Sequence, residues 1–179
     1  RYRNVYLEGG ISYAGQFGRH SVTALALYNQ RVQDNPSFQY DLPKGLLGFV
    51  GRITYNFDNR YLAEFNAGYN GSENFAEGKR FGFFPAFSLG WILTEEKFIP
   101  RNKFLTYAKI RGSYGEVGND QIGGDRYLYL PPTFVYGSNG YNFGTFGQNS
   151  QYYPASAEGS VGNSDVTWER AKKANIGLD

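Results

Sequence analysis

The chain has 179 residues, 18% of them aromatic, with 16 Tyr, 15 Phe and 24 Gly and a formal charge of +2. It has no Cys, which excludes a disulfide framework, a thiol nucleophile and a thiolate metal site. The small charge and the lack of a Lys/Arg run argue against nucleic acid as a partner, and no stretch approaches the roughly 18–20 apolar residues of a membrane helix. The opening "RYRNVYLEGG" is not a signal peptide, and with no Met even at position 1 the chain reads as a piece of a longer protein.

A composition rich in Tyr, Phe and Gly predicts strands and turns. In chain order, strands are predicted at roughly 4–13, 21–32, 47–57, 61–70, 83–94, 105–115 and 166–178. The fold class is therefore all-β, an antiparallel meander of about seven long strands. Most are about 10–12 residues long, beyond the roughly 5–6 of soluble sheets and close to the 9–11 of a membrane-spanning strand. The connections alternate: short (14–20), long (33–46), very short (58–60), long (71–82), medium (94–103) and very long (116–165). Alternation puts every short turn at one end, the layout of an outer-membrane barrel with long external loops.

Register follows from residues 51–72, "GRITYNFDNRYLAEFNAGYNGS". A three-residue loop, Asp58–Arg60, pairs Phe57 with Tyr61, Ile53 with Phe65 and Phe49 with Tyr69, while Arg52 meets Asn66 and Thr54 meets Glu64. A two-residue loop would set Ile53 against Glu64 and mix the faces. The favoured register predicts a lipid-facing girdle of Phe49, Phe57, Tyr61, Phe65, Tyr69 and, from the next strand, Trp91. From Tyr61 to Tyr69 is about 26 Å of strand at roughly 3.3 Å per residue, or about 20 Å along a tilted barrel axis. The opposite face, with Arg52, Glu64, Asn66, Lys109 and Arg111, is predicted to face a lumen. In the second strand, "SVTALALYNQR" is apolar on both faces in its first half, so its facing is not readable. Pro85 inside a strand is tolerable near an end or bulge.

No catalytic constellation emerges. His20 is the only histidine and falls in a predicted short turn, so neither a His-based triad nor a His-rich metal site is available within the chain. Glu95 and Glu96 are adjacent and read as turn residues. Asp120 and Asp125 in "GNDQIGGD" carry hard oxygen ligands, but the order of an EF-hand is missing. The reading is of a non-enzyme with no cofactor and no metal. The segment 116–165 is the best functional candidate. Tyr127, Tyr129, Phe134, Tyr136, Tyr141, Phe143, Phe146, Tyr152 and Tyr153 stand there among Gly, Asn, Ser and Gln, the mixture of rigid rings and adaptable hydrogen bonds used by recognition loops. These rings either contact substrate, pack against a lid, or pack on one another and on neighbouring loops.

Several strings in order, "HSVTALALYNQ", "GRITYNFDNRYLAEFNAGYNGSENF", "RFGFFPAFSLGWILTEEKF", "KIRGSYGEVGN" and "WERAKKANIGLD", resemble the C-terminal barrel section of SusC/RagA-type TonB-dependent transporters. The resemblance covers most of 1–119 and 166–179. It implies an outer-membrane importer of the Bacteroidetes with a barrel of about 22 strands and a plug in the lumen. It also implies a SusD-like surface lipoprotein as partner, TonB–ExbB–ExbD as the energy source through the plug region, and an oligosaccharide or peptide as substrate. Residues 1–179 show neither plug nor TonB box, so the expectation is a partial barrel in which 116–165 is a long extracellular loop. Two rivals stand beside it: a passive porin or adhesin barrel, and a soluble β-sandwich that binds carbohydrate through aromatic loops.

Overall fold

A computed structural model describes residues 2–35, 42–99, 105–122, 126–130, 134–145 and 149–179. Seven strands form one antiparallel sheet: β1 (Arg3–Phe17), β2 (His20–Asp34), β3 (Lys44–Phe57), β4 (Tyr61–Ser72), β5 (Phe81–Ile92), β6 (Lys109–Asn119) and, after two further strands, β9 (Glu169–Leu178). Their order across the sheet is β1-β2-β3-β4-β5-β6-β9. The other two, β7 (Phe134–Phe143) and β8 (Gln151–Glu158), make a separate hairpin within the connection from β6 to β9.

The β3–β4 ladder has the register that alternation requires. Phe57 pairs with Tyr61, Ile53 with Phe65, Phe49 with Tyr69, Arg52 with Asn66 and Thr54 with Glu64. The turn that sets it is local: Asp58 and Asn59 take φ of 52° and 54°, and Arg60 N donates to Phe57 O at 2.9 Å. Successive positive φ values suit the twist of a tight hairpin, and Asp and Asn tolerate them best among residues with side chains.

The first four strands are longer than their sequence pattern indicated, and the connections on either side of β2 shrink accordingly, while Asp58–Arg60 stands as expected. The first is Gly18–Arg19, not 14–20, because β1 and β2 pair up to Phe17↔His20. The last sheet strands differ more. β6 spans Lys109–Asn119 instead of 105–115, and the strand expected over 83–94 ends at Ile92, where a 3-10 turn, Leu93–Glu95, begins. Pro85 pairs with Ala67 on one side, while on the other the β5–β6 ladder stops at Ala86↔Gly115, just short of it. A residue without an N–H cannot carry a ladder on both sides.

Among the described elements none packs across either face of the sheet. The buried core lies instead at the end carrying connections 35–43, 73–80 and 120–168. There Phe75, Phe84 and Trp168 cluster, with Ile122 and Val166 packed against them. Trp168 Nε1 donates to Arg80 O at 3.0 Å, and Arg80 Nε to Phe75 O at 3.3 Å. Gly118 is required here, since a Cβ would run into the Phe84 ring.

Candidate functional site

Ladder pairing fixes which side chains share a face. Beginning from Phe65, one row crosses the sheet as Tyr13, Ala24, Ile53, Phe65, Phe87 and Tyr114. Toward the short turns, a second row runs Phe17, His20, Phe57, Tyr61 and Trp91. Toward the long connections, a third holds Tyr28, Phe49, Tyr69 and Phe83. Large side chains on this face are open to the surroundings: Ile11 is 79% exposed, Ile53 51%, Phe65 45% and Leu89 63%. This is a continuous apolar face with no protein cover among the described residues, far beyond the patches typical of soluble monomers.

The two outer rows are rims of rings in mutual contact. At the short-turn end the centroids of His20 and Phe57 lie 4.8 Å apart, those of Phe57 and Tyr61 6.2 Å, and those of Tyr61 and Trp91 6.4 Å. At the other end Tyr28–Phe49 and Tyr69–Phe81 are each 5.0 Å apart. Phe49, Phe57, Tyr61, Tyr69 and Trp91 therefore occupy rims. Phe65 shares the face but stands midway, beside Phe87, and is not a rim residue. His20 is not a turn residue: it opens β2, with Nδ1 2.7 Å from Tyr55 Oη.

A charged network seals the short-turn end. Arg19 pairs with Asp58 at 3.7 Å, Asp58 with Arg60 at 3.2 Å, and Arg60 with Glu96 at 3.7 Å. Glu96 Oε1 accepts from Tyr61 Oη at 2.7 Å and Trp91 Nε1 at 3.1 Å. Those hydrogen bonds, Tyr61 first, hold its carboxyl below the usual range. Glu96 lies in a turn, as its sequence suggests, but nothing in "TEEKF" shows that rings from β4 and β5 converge on it.

The reverse face is polar. Arg52 Nη2 donates to Glu64 Oε2 at 2.9 Å, and Asn66 Nδ2 to Glu64 Oε1 at 2.7 Å. Thr23 and Thr54 hydroxyls bond beside this pair. Arg111 pairs with Asp179 at 3.1 Å. With Lys109, Ser88, Ser113 and Asn175, these strands border a trough of about 450 Å³. Arg52, Glu64, Asn66, Lys109 and Arg111, the residues expected to face a lumen, share this face of the sheet, and Glu64 bonds with two of the others. The arrangement offers fixed charges and hydrogen bonds for a wet surface, and no nucleophile–base pair.

The long connection divides into two unlike parts. Tyr127 is 2% exposed, its hydroxyl donating to Pro43 O at 2.9 Å, and Tyr129 Oη donates to Glu73 O at 3.4 Å. Of the three roles expected for these rings, contact with substrate, with a lid or with neighbouring loops, Tyr127 takes the last, packing on the connection that holds Pro43. Burial outweighs two nearby guanidinium groups and pushes the Glu73 carboxyl up. The β7–β8 hairpin instead presents its rings: Tyr136 and Tyr141 are strongly exposed, and Phe143, Tyr152 and Tyr153 at least half. Phe143 packs edge-on against both Tyr141, at 4.9 Å, and Tyr153, at 5.4 Å. Asp120 accepts from Ser72 Oγ at 2.8 Å and Asn74 Nδ2 at 3.1 Å through its backbone, so it serves the loop rim. Asp125 and Phe146 lie outside the described residues.

No family model matches the chain. TonB-dependent receptor SusC of Bacteroides thetaiotaomicron is 36% identical over 134 residues, covering 75% of this chain and 13% of that protein. TonB-dependent receptor P39 of Formosa agariphila is 33% identical over 136 residues, covering 75% and 12%. Among solved structures, the RagAB peptide importer in its closed-closed state matches with TM-score 0.75 at 21% identity, over 99% of this chain and 22% of that one. Its open-open state matches with TM-score 0.69. The chain spans about an eighth of the length of the first two relatives. Sequence likeness to the receptors and a fold that matches part of the RagAB importer agree: this chain is a SusC/RagA-like fragment, similar over three quarters of its length to a section of the TonB-dependent receptors.

Proposed function

We propose that these residues form part of the wall and external loops of an outer-membrane TonB-dependent transporter. The observation that carries the reading is the uncovered apolar face with an aromatic rim at each end, backed by a face of paired charges. Lipid is the environment in which such a face is stable, and Tyr and Trp rings favour its two interfaces. The polar face then meets the lumen. Seven strands do not close a barrel, and both β1 and β9 are sheet edges, so further strands complete it. On this reading the short turns are periplasmic, the 120–168 connection is external, and each strand crosses the membrane.

The rest of the proposal rests on the resemblance to SusC/RagA-type transporters, supported by relatives that are TonB-dependent receptors and by the match to a peptide importer. The partners are a SusD-like surface lipoprotein and TonB–ExbB–ExbD, the substrate is an oligosaccharide or peptide, and no chemistry is performed on it. The mixture of Tyr with Asn, Ser and Gly in β7 and β8 suits either substrate class. The soluble-sandwich rival lacks support, since no described element covers the apolar face. Single-cysteine labelling of the full-length receptor in cells is the test. A cysteine at Tyr141 should react with a membrane-impermeant maleimide from outside, one at Asn59 only after the outer membrane is opened, and one at Phe65 with neither. Recovery of the receptor in the soluble fraction without detergent would overturn the proposal.

A further inference from the structure

The root of the aromatic hairpin is held by an unusual contact. Tyr127 takes φ of 54°, a conformation that bulky L-residues rarely adopt, yet its ring is almost wholly buried. The Arg126 guanidinium lies 4.6 Å over that ring, donates to Tyr127 Oη at 2.6 Å, and reaches Pro43 O at 3.3 Å and Leu42 O at 3.4 Å. Tyr127 Oη itself donates to Pro43 O at 2.9 Å. These contacts join the 120–168 connection to residues 84 and 83 positions earlier in the chain. Tyr129 makes a second tie, to Glu73 O, and Asn163 N donates to Leu128 O at 3.0 Å. Three connections therefore meet at five residues, 126–130. A left-handed backbone at a bulky residue persists only where its surroundings fix it.

We propose that Arg126 and Tyr127 form a clasp that sets the position of the β7–β8 hairpin over the long-connection end of the sheet. Seated, the clasp ties the hairpin's root to both neighbouring connections; unseated, Tyr127 relaxes out of the left-handed region and the connection swings free. The proposal rests on the external placement given above for 120–168. It goes beyond that reading in making hairpin presentation depend on two residues packed against the Leu42–Pro43 backbone and not on the exposed rings.

The sequence supplies its own probe, because Arg126 is the only Lys or Arg between Arg111 and Arg170. Trypsin can therefore cut within that span only at the clasp. Full-length receptor in intact cells is treated with trypsin and cleavage after Arg126 is followed by mass spectrometry. Wild type should resist. Tyr127→Phe, which keeps the ring and deletes the hydroxyl, should be cut roughly three- to tenfold faster, the change in open population from losing one or two hydrogen bonds. Arg126→Lys keeps the cleavage site and loses the planar fork, and should behave likewise. Equal rates in wild type and both variants would overturn the clasp. Cleavage only after the outer membrane is opened would instead overturn the external placement. A heat-modifiable gel band in every variant separates either result from a failure to fold.

Discussion

The phenol of Tyr61, at the start of β4, donates at 2.7 Å to the carboxylate of Glu96, in the connection that follows β5. That bond ties an aromatic rim to the charged turns beneath it, because Glu96 also pairs with Arg60. Held below the usual carboxylate range, Glu96 contributes stability that is fully present above its unfolded pKa and is lost as pH falls through its lower folded value. The tie should thus be constant at neutral pH and weaken below about pH 4. Glu96→Gln should lower the receptor's melting temperature by about 1–2 °C at pH 7 and flatten its acid dependence. Melting curves at several pH values in detergent check this; an unchanged acid limb would deny Glu96 the role.

Glu73 has the opposite sign. Its carboxyl is raised by burial, against the pull of Arg126 and Arg80. A group shifted this way contributes most below its unfolded pKa, and the contribution is lost as pH rises through the raised folded value. Glu73→Gln should therefore slow hydrogen exchange at residues 126–130 at pH 7 and leave it unchanged at pH 4. Faster exchange at pH 7 would mean that the charge, by holding Arg126, matters more than its burial.

The Arg52–Glu64 pair stands on the polar face with the arginine half exposed. In a wet lumen its coupling should be modest, about 0–1 kcal/mol by double-mutant cycle. A larger value in the full-length receptor would show that another part of the protein covers the pair and excludes water. Arg52→Ala, Glu64→Ala and the double variant, compared by unfolding in detergent, give the number.

What the sequence made legible is what depends on neighbours in the chain. The β3–β4 register follows from alternation and a three-residue turn, so Phe57↔Tyr61 and Arg52↔Asn66 could be placed before any coordinates. The facing of β2 could not, since Ala24, Leu25, Ala26 and Leu27 are apolar on both sides; its ladder with β3 settles it by setting Ala24 opposite Ile53 and Leu25 opposite Arg52. The loop was read less well. Burial of Tyr127 depends on Pro43, far away in sequence, and the β7–β8 hairpin is broken by register shifts between Tyr136 and Tyr141 that erase the period of two. The role of Glu96 was hidden for a similar reason, since Tyr61 and Trp91 converge on it from different strands.

Phe65 gives the sharpest test of facing. It sits midway between the rims, and its neighbour Asn66 points to the other face and donates to Glu64. If the apolar face meets lipid, Phe65→Arg puts a charge near the bilayer midplane, at a cost of about 2–4 kcal/mol. Asn66→Arg puts the same side chain in the lumen beside a carboxylate, where the cost should be under about 1 kcal/mol. Phe65→Arg should therefore reduce the amount of heat-modifiable receptor in the outer membrane and lower its unfolding midpoint, while Asn66→Arg leaves both near wild type. Phe65→Leu controls for lost ring volume and should fall close to wild type, since lipid fills the space that a protein core would leave empty. Equal damage from the two arginines would mean that the faces are not wet and dry, and would return the sheet to the class of water-soluble folds.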